Sequence, residues 1–363
     1  MRIAQISPLF EAVPPKAYGG TERVVSWLTE ELVRQGHEVT LFASGDSRTK
    51  AELVACSERA LWQDATCLES LPHHVRQLEM VFERASEFDI LHFHGDFVHF
   101  PLLRRLPVPA VTTLHGALNR TDHLPFFLEY REANLVSISD SQRATVPEAS
   151  FSATVYHGMP PELHRYSPRA GDYLAFLGRA SPQKGLDRAI SIAMRSKTKL
   201  KIAARIYAEE RGYFSEVIAP LLAKAGPLVE FVGEVAGEAK DELLRGARAL
   251  LFPISWAEPF GLVMIEALAT GTPVIAWRNG SVPEVIDHGR TGFIVESEEA
   301  AVSAIGVLDS IERAACRASF ERRFSAARMA SDYVEVYRTL TERCSGADWD
   351  TKEEEAQPRS AHG

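Results

Sequence analysis

Cysteine is scarce. Cys56, Cys67, Cys316 and Cys344 are the whole complement of the 363-residue chain, and no two of them stand in a C-x-x-C or other metal-binding spacing. A disulfide scaffold and a zinc ribbon are therefore excluded, and reduced, mostly buried thiols are expected. No run of 18 apolar residues occurs, and the opening "MRIAQISPLF" reads as a short strand followed by proline, without the basic head and long apolar core of a secretory signal. The expected compartment is the cytoplasm. Positive charge is also in short supply. The formal net charge is −9, with −6 in residues 1–165 and −3 in the remainder. Neither half offers the basic field that favours nucleic acid, and membrane association should be weak or absent. Several catalytic signatures are missing too: G-x-G-x-x-G, the P-loop, the G-x-S-x-G elbow and H-E-x-x-H. No repeat of 33 or 40 residues is visible.

What is present is an ordinary globular composition, 45% hydrophobic and 25% charged, in a chain long enough for two domains. Apolar, β-branched runs alternate with helical patterns such as residues 21–35. In the first half these runs are "RIAQIS", "HEVTLFA", "FDILHFH", "VPAVTTL", "NLVSIS" and "ATVYHG"; in the second they are "YLAFLG", "LKIAAR", "VEFVG", "ARALLFP", "TPVIAW" and "TGFIVE". Spacing too long for hairpins argues for parallel sheets covered on both faces. The Pro- and Gly-rich "HGMPPELHRYSPRAGD" marks a linker near residues 159–171. The expected fold is α/β, two doubly wound Rossmann-like domains facing a cleft, one over residues 1–165 and one over 170–324. The acidic, aperiodic residues 345–363 are expected to be a disordered tail.

One helix carries a puzzle. In "AEPFGLVMIEALATGTPVIA" (257–276) the segment from Phe260 to Ala269 is apolar all round except for Glu266, and Gly271 and Pro273 end it. An unpaired carboxylate inside such a helix would cost several kcal/mol or take up a proton, so it needs an internal arginine or a ligand. Glu258 stands eight residues earlier, about 12 Å along an ideal helix, with a loop between, which does not suit the closely facing acids of a glycosidase. Between them, Phe260 and Gly261 bring backbone N–H groups to a helix N-terminus, where an anion is favoured. A phosphate held between two hydroxyl-binding carboxylates fits this pattern.

In doubly wound folds ligands gather beyond the carboxyl ends of strands. Gly19 and Gly20 of "YGGTERVVSWLTEEL" stand after the first strand, where a tight turn and an anion cradle explain them equally. In "LGRASPQKG", Gly178, Arg179 and Lys184 surround a turn closed by Gly185; guanidinium and ammonium groups on one loop can hold a diphosphate and stabilise its departure. "HFHGD" alternates His92, His94 and Asp96, but without a further acidic or histidine cluster no metal is expected. His115 in "TLHGALN" ends a strand beside glycine and suits a ligand contact. In "RNGSVPEVIDHGRTGFIV", Glu284, Asp287 and Arg290 read as surface or packing residues, while Gly280 and Ser281 could turn backbone donors toward the cleft.

The E-x7-E pattern of Glu258-Pro259-Phe260-Gly261 with Glu266, together with "GRASPQKG", "GTPVIA", "GSVPEVIDHGRTGFIV", "YGGTERVV", "LVRQGHEVTLFA" and "TTLHG", resembles the retaining glycosyltransferases of family 4, which have the GT-B fold. The likeness spans residues 1–337. It implies a hexosyltransferase that uses a nucleotide diphosphate sugar and a sugar or glycoconjugate acceptor, with no cofactor or essential metal. It further implies roles by position. Glu266 would accept hydrogen bonds from the ribose hydroxyls, and Glu258 would hold the transferred sugar. The backbone at Phe260, Gly261 and Leu262 would meet sugar or phosphate. Arg179 and Lys184, beside Gly178, would bind the diphosphate, with Gly19 and Gly20 closing from the other domain. His115 would touch the sugar on the acceptor side, and the base would rest near Val232 to Val235, a stretch that begins with Val232 and Gly233. A last helix, 325–340, would cross back to the first domain. One departure stands out: where many members have a glycine-rich turn after "LKIA", this chain has "ARIYAEERG". Two other readings of the same residues remain, a nucleotide-sugar epimerase and a non-catalytic nucleotide-sugar binder.

Overall fold

Buried Val, Ile, Leu and Phe at successive positions give strands that are apolar on both faces, as a sheet sandwiched between helices requires. In the computed structural model, which describes residues 1–16, 19–95 and 97–346, these strands form two parallel sheets. The first contains β1 (Arg2–Ile6), β2 (Glu38–Ser44), β3 (Glu52–Ser57), β4 (Ile90–Phe93), β5 (Ala110–Thr113), β6 (Asn134–Ser137) and β7 (Phe151–Thr154), in the order β3-β2-β1-β4-β5-β6-β7. The second contains β8 (Tyr173–Arg179), β9 (Lys199–Arg205), β10 (Val229–Gly233), β11 (Ala247–Phe252), β12 (Val274–Trp277) and β13 (Gly292–Val295), in the order β10-β9-β8-β11-β12-β13.

Both sheets reverse their winding beside their first strand, between β1 and β4 and between β8 and β11. Those two switch points are where a doubly wound sheet opens a crevice. Two details differ from expectation. β3, "ELVACS", is an edge strand whose outer half is part-exposed, so its apolar signal is diluted. The seventh strand lies at Phe151–Thr154, earlier than "ATVYHG" suggests, because Val155 to Met159 already lead out of the sheet.

The helix Leu262–Thr270 is capped by Gly271 in the left-handed conformation (φ 85°), and every residue from Met264 to Thr270 is buried. The helix Ala326–Gly346 returns to the first domain, burying Met329, Tyr333 and Tyr337. The Tyr337 hydroxyl lies 2.7 Å from His92 Nδ1 of β4. The two passages between domains touch each other: Met159 and Ser325 form a bridge, with Met159 N–H donating to Phe324 O (2.9 Å) and Ala326 N–H to Met159 O (2.9 Å). All four cysteines are free, but only Cys56 and Cys316 are buried, Cys67 being part-exposed and Cys344 exposed, so the expectation of mostly buried thiols holds for half of them. Apart from the last helical backbone positions, the tail expected at 345–363 lies outside the described residues, as does Asp96. Among the described residues no helix is long and apolar enough to cross a membrane.

Candidate active site

The cavity between the two sheets, about 800 Å³, is lined by Gly19, Gly20, His115, Gly178, Arg179, Lys184, Glu258, Phe260, Gly261, Leu262 and Glu266. Residues from both switch points thus share one space. Of the stretch from Val232 to Val235 expected beside the base, Val232 and Gly233 do not line the cavity, whereas Glu234 and Val235 do, followed by Ala236 and Gly237. The physical reason is that the strand carries Val232 and Gly233 within the sheet, and only the loop after it turns into the cleft.

Glu266 meets two internal cations, and the one bonded to it is a lysine where an arginine was expected, with an arginine farther off. Lys240 Nζ donates to its Oε1 at 2.5 Å, and Arg23 Nη1 of the first domain lies 3.6 Å from the same oxygen. Burial alone would raise the Glu266 carboxyl, but the Lys240 ammonium above all, with His164 and Arg23, outweighs it and holds the group at about 2. Neither cation was legible as a site residue. Lys240 is a single lysine on the amphipathic helix Gly237–Arg245, and Arg23 sits one turn into the helix Gly20–Arg34.

Glu258 is 9% exposed. Its Oε2 accepts from Lys184 Nζ and, at 3.0 Å, from Trp256 Nε1. Lys184 also lies 5.1 Å from the Trp256 ring and 5.7 Å from the Phe252 ring, so packing confines its flexible stem. The expectation that Gly280 and Ser281 turn donors toward the cleft is corrected: they brace the Glu258 loop from behind. Ser281 N–H donates to Glu258 O at 3.0 Å, and Ser281 Oγ to Phe260 O at 2.7 Å. A Cβ at Gly280 (φ 55°) would fall 2.3 Å from Glu258 N and O.

Arg179 is gripped by the loop that departs from the family pattern. Its Nε and Nη2 donate to Glu210 Oε1 at 2.9 and 2.5 Å, while Glu210 Oε2 accepts from Tyr207 N–H at 3.2 Å. Glu210 is 4% exposed, and its guanidinium partner lies over the Tyr207 ring at 4.9 Å. Across the cleft, a Cβ at Gly20 would stand 4.0 Å from Leu262 Cδ1, so the first-domain glycine turn meets the start of the Glu266 helix. Glu22 of that turn is pushed up to about 7, chiefly by burial, with Glu11 adding repulsion.

The histidines of "HFHGD" are spoken for. His92 is bonded to Tyr337 and Thr113, and His94 to Gln5 and His115. Burial lowers His115 to about 3 and holds His92, His94 and His157 well below the usual histidine range. Glu284, read from sequence as a surface or packing residue, crosses to the first domain and accepts from the N–H groups of Asp140 and Ser141, each at 2.7 Å.

Comparison with known proteins gives the family and the fold. Residues 18–150 match the family model Glycosyltransferase Family 4, and residues 167–323 match Glycosyl transferases group 1. The protein is a family 4-type glycosyltransferase. A phosphatidyl-myo-inositol mannosyltransferase of Mycolicibacterium smegmatis is 28% identical, over 94% of each chain. AviGT4, a glycosyltransferase involved in avilamycin A biosynthesis, superposes with a TM-score of 0.71 at 24% identity, over 94% of this chain and 98% of that one. HepE of Anabaena, solved in complex with UDP and glucose, gives 0.73 at 18% identity, over 94% of this chain and all of that one. These likenesses confirm the GT-B fold. With relatives named as transferases, the epimerase and the non-catalytic binder fall away as readings of this chain.

Proposed function

We propose that this glycosyltransferase moves a hexose from a nucleoside diphosphate sugar to a hydroxyl of a sugar or glycoconjugate, with retention at the anomeric carbon, without an essential metal, and in the cytoplasm. The observation that carries the reading is the line of cations and carboxylates along one wall of the cleft: Arg179, Lys184 with Glu258, and Lys240 with Glu266. Positive groups at two points suit a diphosphate, and buried, ionised carboxylates suit hydroxyl-rich ribose and hexose on either side of it. HepE, of the same fold, is described in complex with UDP and glucose, which is consistent with such a donor.

In this reading the bond between the anomeric carbon and the diphosphate oxygen breaks as the acceptor oxygen bonds to the same face. The acceptor's proton passes to the departing phosphate oxygen. Arg179 and Lys184 stabilise the charge that develops on the leaving group. Glu258 positions the hexose, and Glu266 takes the ribose hydroxyls on a carboxylate kept ionised by Lys240. The base lies against the loop of Glu234 to Gly237, which takes in the second half of the stretch expected to hold it.

Calorimetric titration with UDP, GDP and ADP tests the donor half. One of them should bind in the micromolar range, and Glu266→Ala should abolish that binding; no binding of any would overturn the reading. Arg179→Ala and Lys184→Ala should each lower turnover by about 10²–10³ with the nucleotide sugar so identified, the scale of losing a preorganised charge on a transition state. Near-normal turnover in both would remove their assigned role.

A further inference from the structure

Four imidazoles, the buried His92, His94 and His157 and the part-buried His115, stand beneath the first-domain side of the cleft, and among the described residues no group of three or more His, Cys, Asp and Glu could hold a metal ion. The hydrogen bonds of His92, His94 and His115 form one connected set. Gln5 Nε2 lies 3.1 Å from the Tyr337 hydroxyl, which lies 2.7 Å from His92 Nδ1; His92 Nε2 lies 2.8 Å from Thr113 Oγ1, which lies 2.9 Å from the Tyr333 hydroxyl. On the other side Gln5 Oε1 lies 2.7 Å from His94 Nε2, and His94 Nδ1 lies 3.0 Å from His115 Nε2.

The direction of these bonds follows from Gln5. A separation of 2.7 Å suits N–H···O, and the opposite amide orientation would force an N–H···N contact at that distance. So His94 Nε2 carries the proton and donates to Gln5 Oε1. A neutral imidazole has one donor and one acceptor, so His94 Nδ1 accepts, and His115 must donate from Nε2. The remaining nitrogen of His115, Nδ1, is then proton-free. It is buried and has no hydrogen-bond partner among the described residues. A buried polar atom without a partner costs about 1–3 kcal/mol unless something else supplies one. His115 lines the cleft next to Gly116, and its ring stacks on His157 at 5.2 Å.

We propose that Gln5 and His94 are positioning residues for His115: they lock it as the Nε2–H tautomer, so that Nδ1 serves the substrate as a hydrogen-bond acceptor for a hydroxyl of the transferred sugar. This rests on the nucleotide-sugar reading above. Through Tyr337 and Tyr333 the same chain of bonds ties the tautomer to the returning C-terminal helix.

The test has a spectroscopic arm that does not depend on turnover. In protein labelled with ¹⁵N-histidine, long-range ¹H–¹⁵N NMR at pH 7.5 should show His115 protonated at Nε2. In His94→Asn the side-chain oxygen can stand in for His94 Nδ1 and should keep that tautomer, whereas His94→Leu should lose it. The second arm compares affinities for UDP-glucose and UDP, GDP-mannose and GDP, and ADP-glucose and ADP. For the pair that binds, the extra affinity supplied by the sugar should fall about five- to tenfold in His94→Leu, with the bare nucleotide unaffected, and recover in His94→Asn, the scale of one buried hydrogen bond. A protonated Nδ1 in the wild-type protein would overturn the relay. So would an unchanged sugar increment in a folded His94→Leu, or the absence of any such increment in the wild type. If no bare nucleotide binds, the function reading fails instead, and the tautomer is still read from the spectrum.

Discussion

Glu266 and Glu22 are buried carboxyls on opposite walls of one cleft, and their surroundings push them in opposite directions. Glu266 moves from an ordinary 4.5 to about 2, because the Lys240 ammonium outweighs burial. Its ionised form therefore favours the fold: the contribution is complete above about pH 4.5 and disappears as the pH falls toward 2. Glu22 moves from 4.5 to about 7, because burial dominates. Its contribution is complete below about pH 4.5 and is lost as the pH rises toward 7. Each shift corresponds to roughly 3 kcal/mol. Urea unfolding of the wild type, Glu266→Gln and Glu22→Gln between pH 3 and 8 should separate them. The stability gap to Glu266→Gln should widen with rising pH in the acid range and then level off, while the gap to Glu22→Gln should shrink between pH 4.5 and 7. Parallel curves for all three proteins would show that neither carboxyl is held as described. Lys240→Met should destabilise the protein at neutral pH, though by less than the about 3–5 kcal/mol that a wholly unpaired buried charge costs, because Arg23 still stands 3.6 Å from the same oxygen.

Among the elements, the loop that carries Glu258 depends on the turn behind it more than on its own sequence. Gly280 needs its left-handed φ, and any side chain there would meet the Glu258 backbone, so Gly280→Ala must push the loop toward the cleft. Expected are a stability loss of about 1–3 kcal/mol and a fall in turnover well beyond what the loss of fold alone explains, measured by thermal melting beside kinetics at a temperature where the variant is folded. Normal turnover in the folded variant would mean that the loop tolerates displacement. This bracing role explains why sequence reading turned Gly280 and Ser281 toward the ligand: a glycine beside serine near a strand end looks the same whether it faces a phosphate or another loop. The strands were legible where both faces are buried, as in β8 "YLAFLG" and β11 "ARALLF". The half-exposed edge strand β3 was not, since its apolar signal is shared with solvent. Glu258 and Glu266 stood out because a charge in an apolar run is anomalous. Lys240, Arg23 and Glu210 did not, because a charge on an amphipathic helix or in a polar loop is ordinary until the fold brings it to a partner.

On the scale of the whole molecule, the described residues join the two domains by the paired crossings at Met159 and Ser325, by the His157 ring packed on Phe260, by Arg23 reaching Glu266, and by Glu284. The last is a carboxylate from one domain at the N-terminus of a helix in the other. Ser139 caps the short helix Asp140–Ala144 through Gln142 N–H, at 2.9 Å, which leaves the N–H groups of Asp140 and Ser141 for Glu284. Charge-assisted bonds of 2.7 Å at a helix N-terminus are worth more than neutral ones. Arg323, at the end of the helix that precedes the second crossing, donates to Glu284 O and lies 3.1 Å from Asp287 Oδ1, so the latch is anchored to the hinge. Glu284→Ala should therefore loosen the relation between domains without unfolding either. Hydrogen exchange at the Asp140 and Ser141 amides should accelerate, while amides in the middle of β5 and β12 keep their protection. Because the cleft draws residues from both domains, KM for the nucleotide sugar should rise several-fold, and Glu284→Gln, which keeps an acceptor oxygen, should lie between the two. Unchanged exchange at Asp140 and Ser141 in the alanine variant would show that the contact does not hold the domains together.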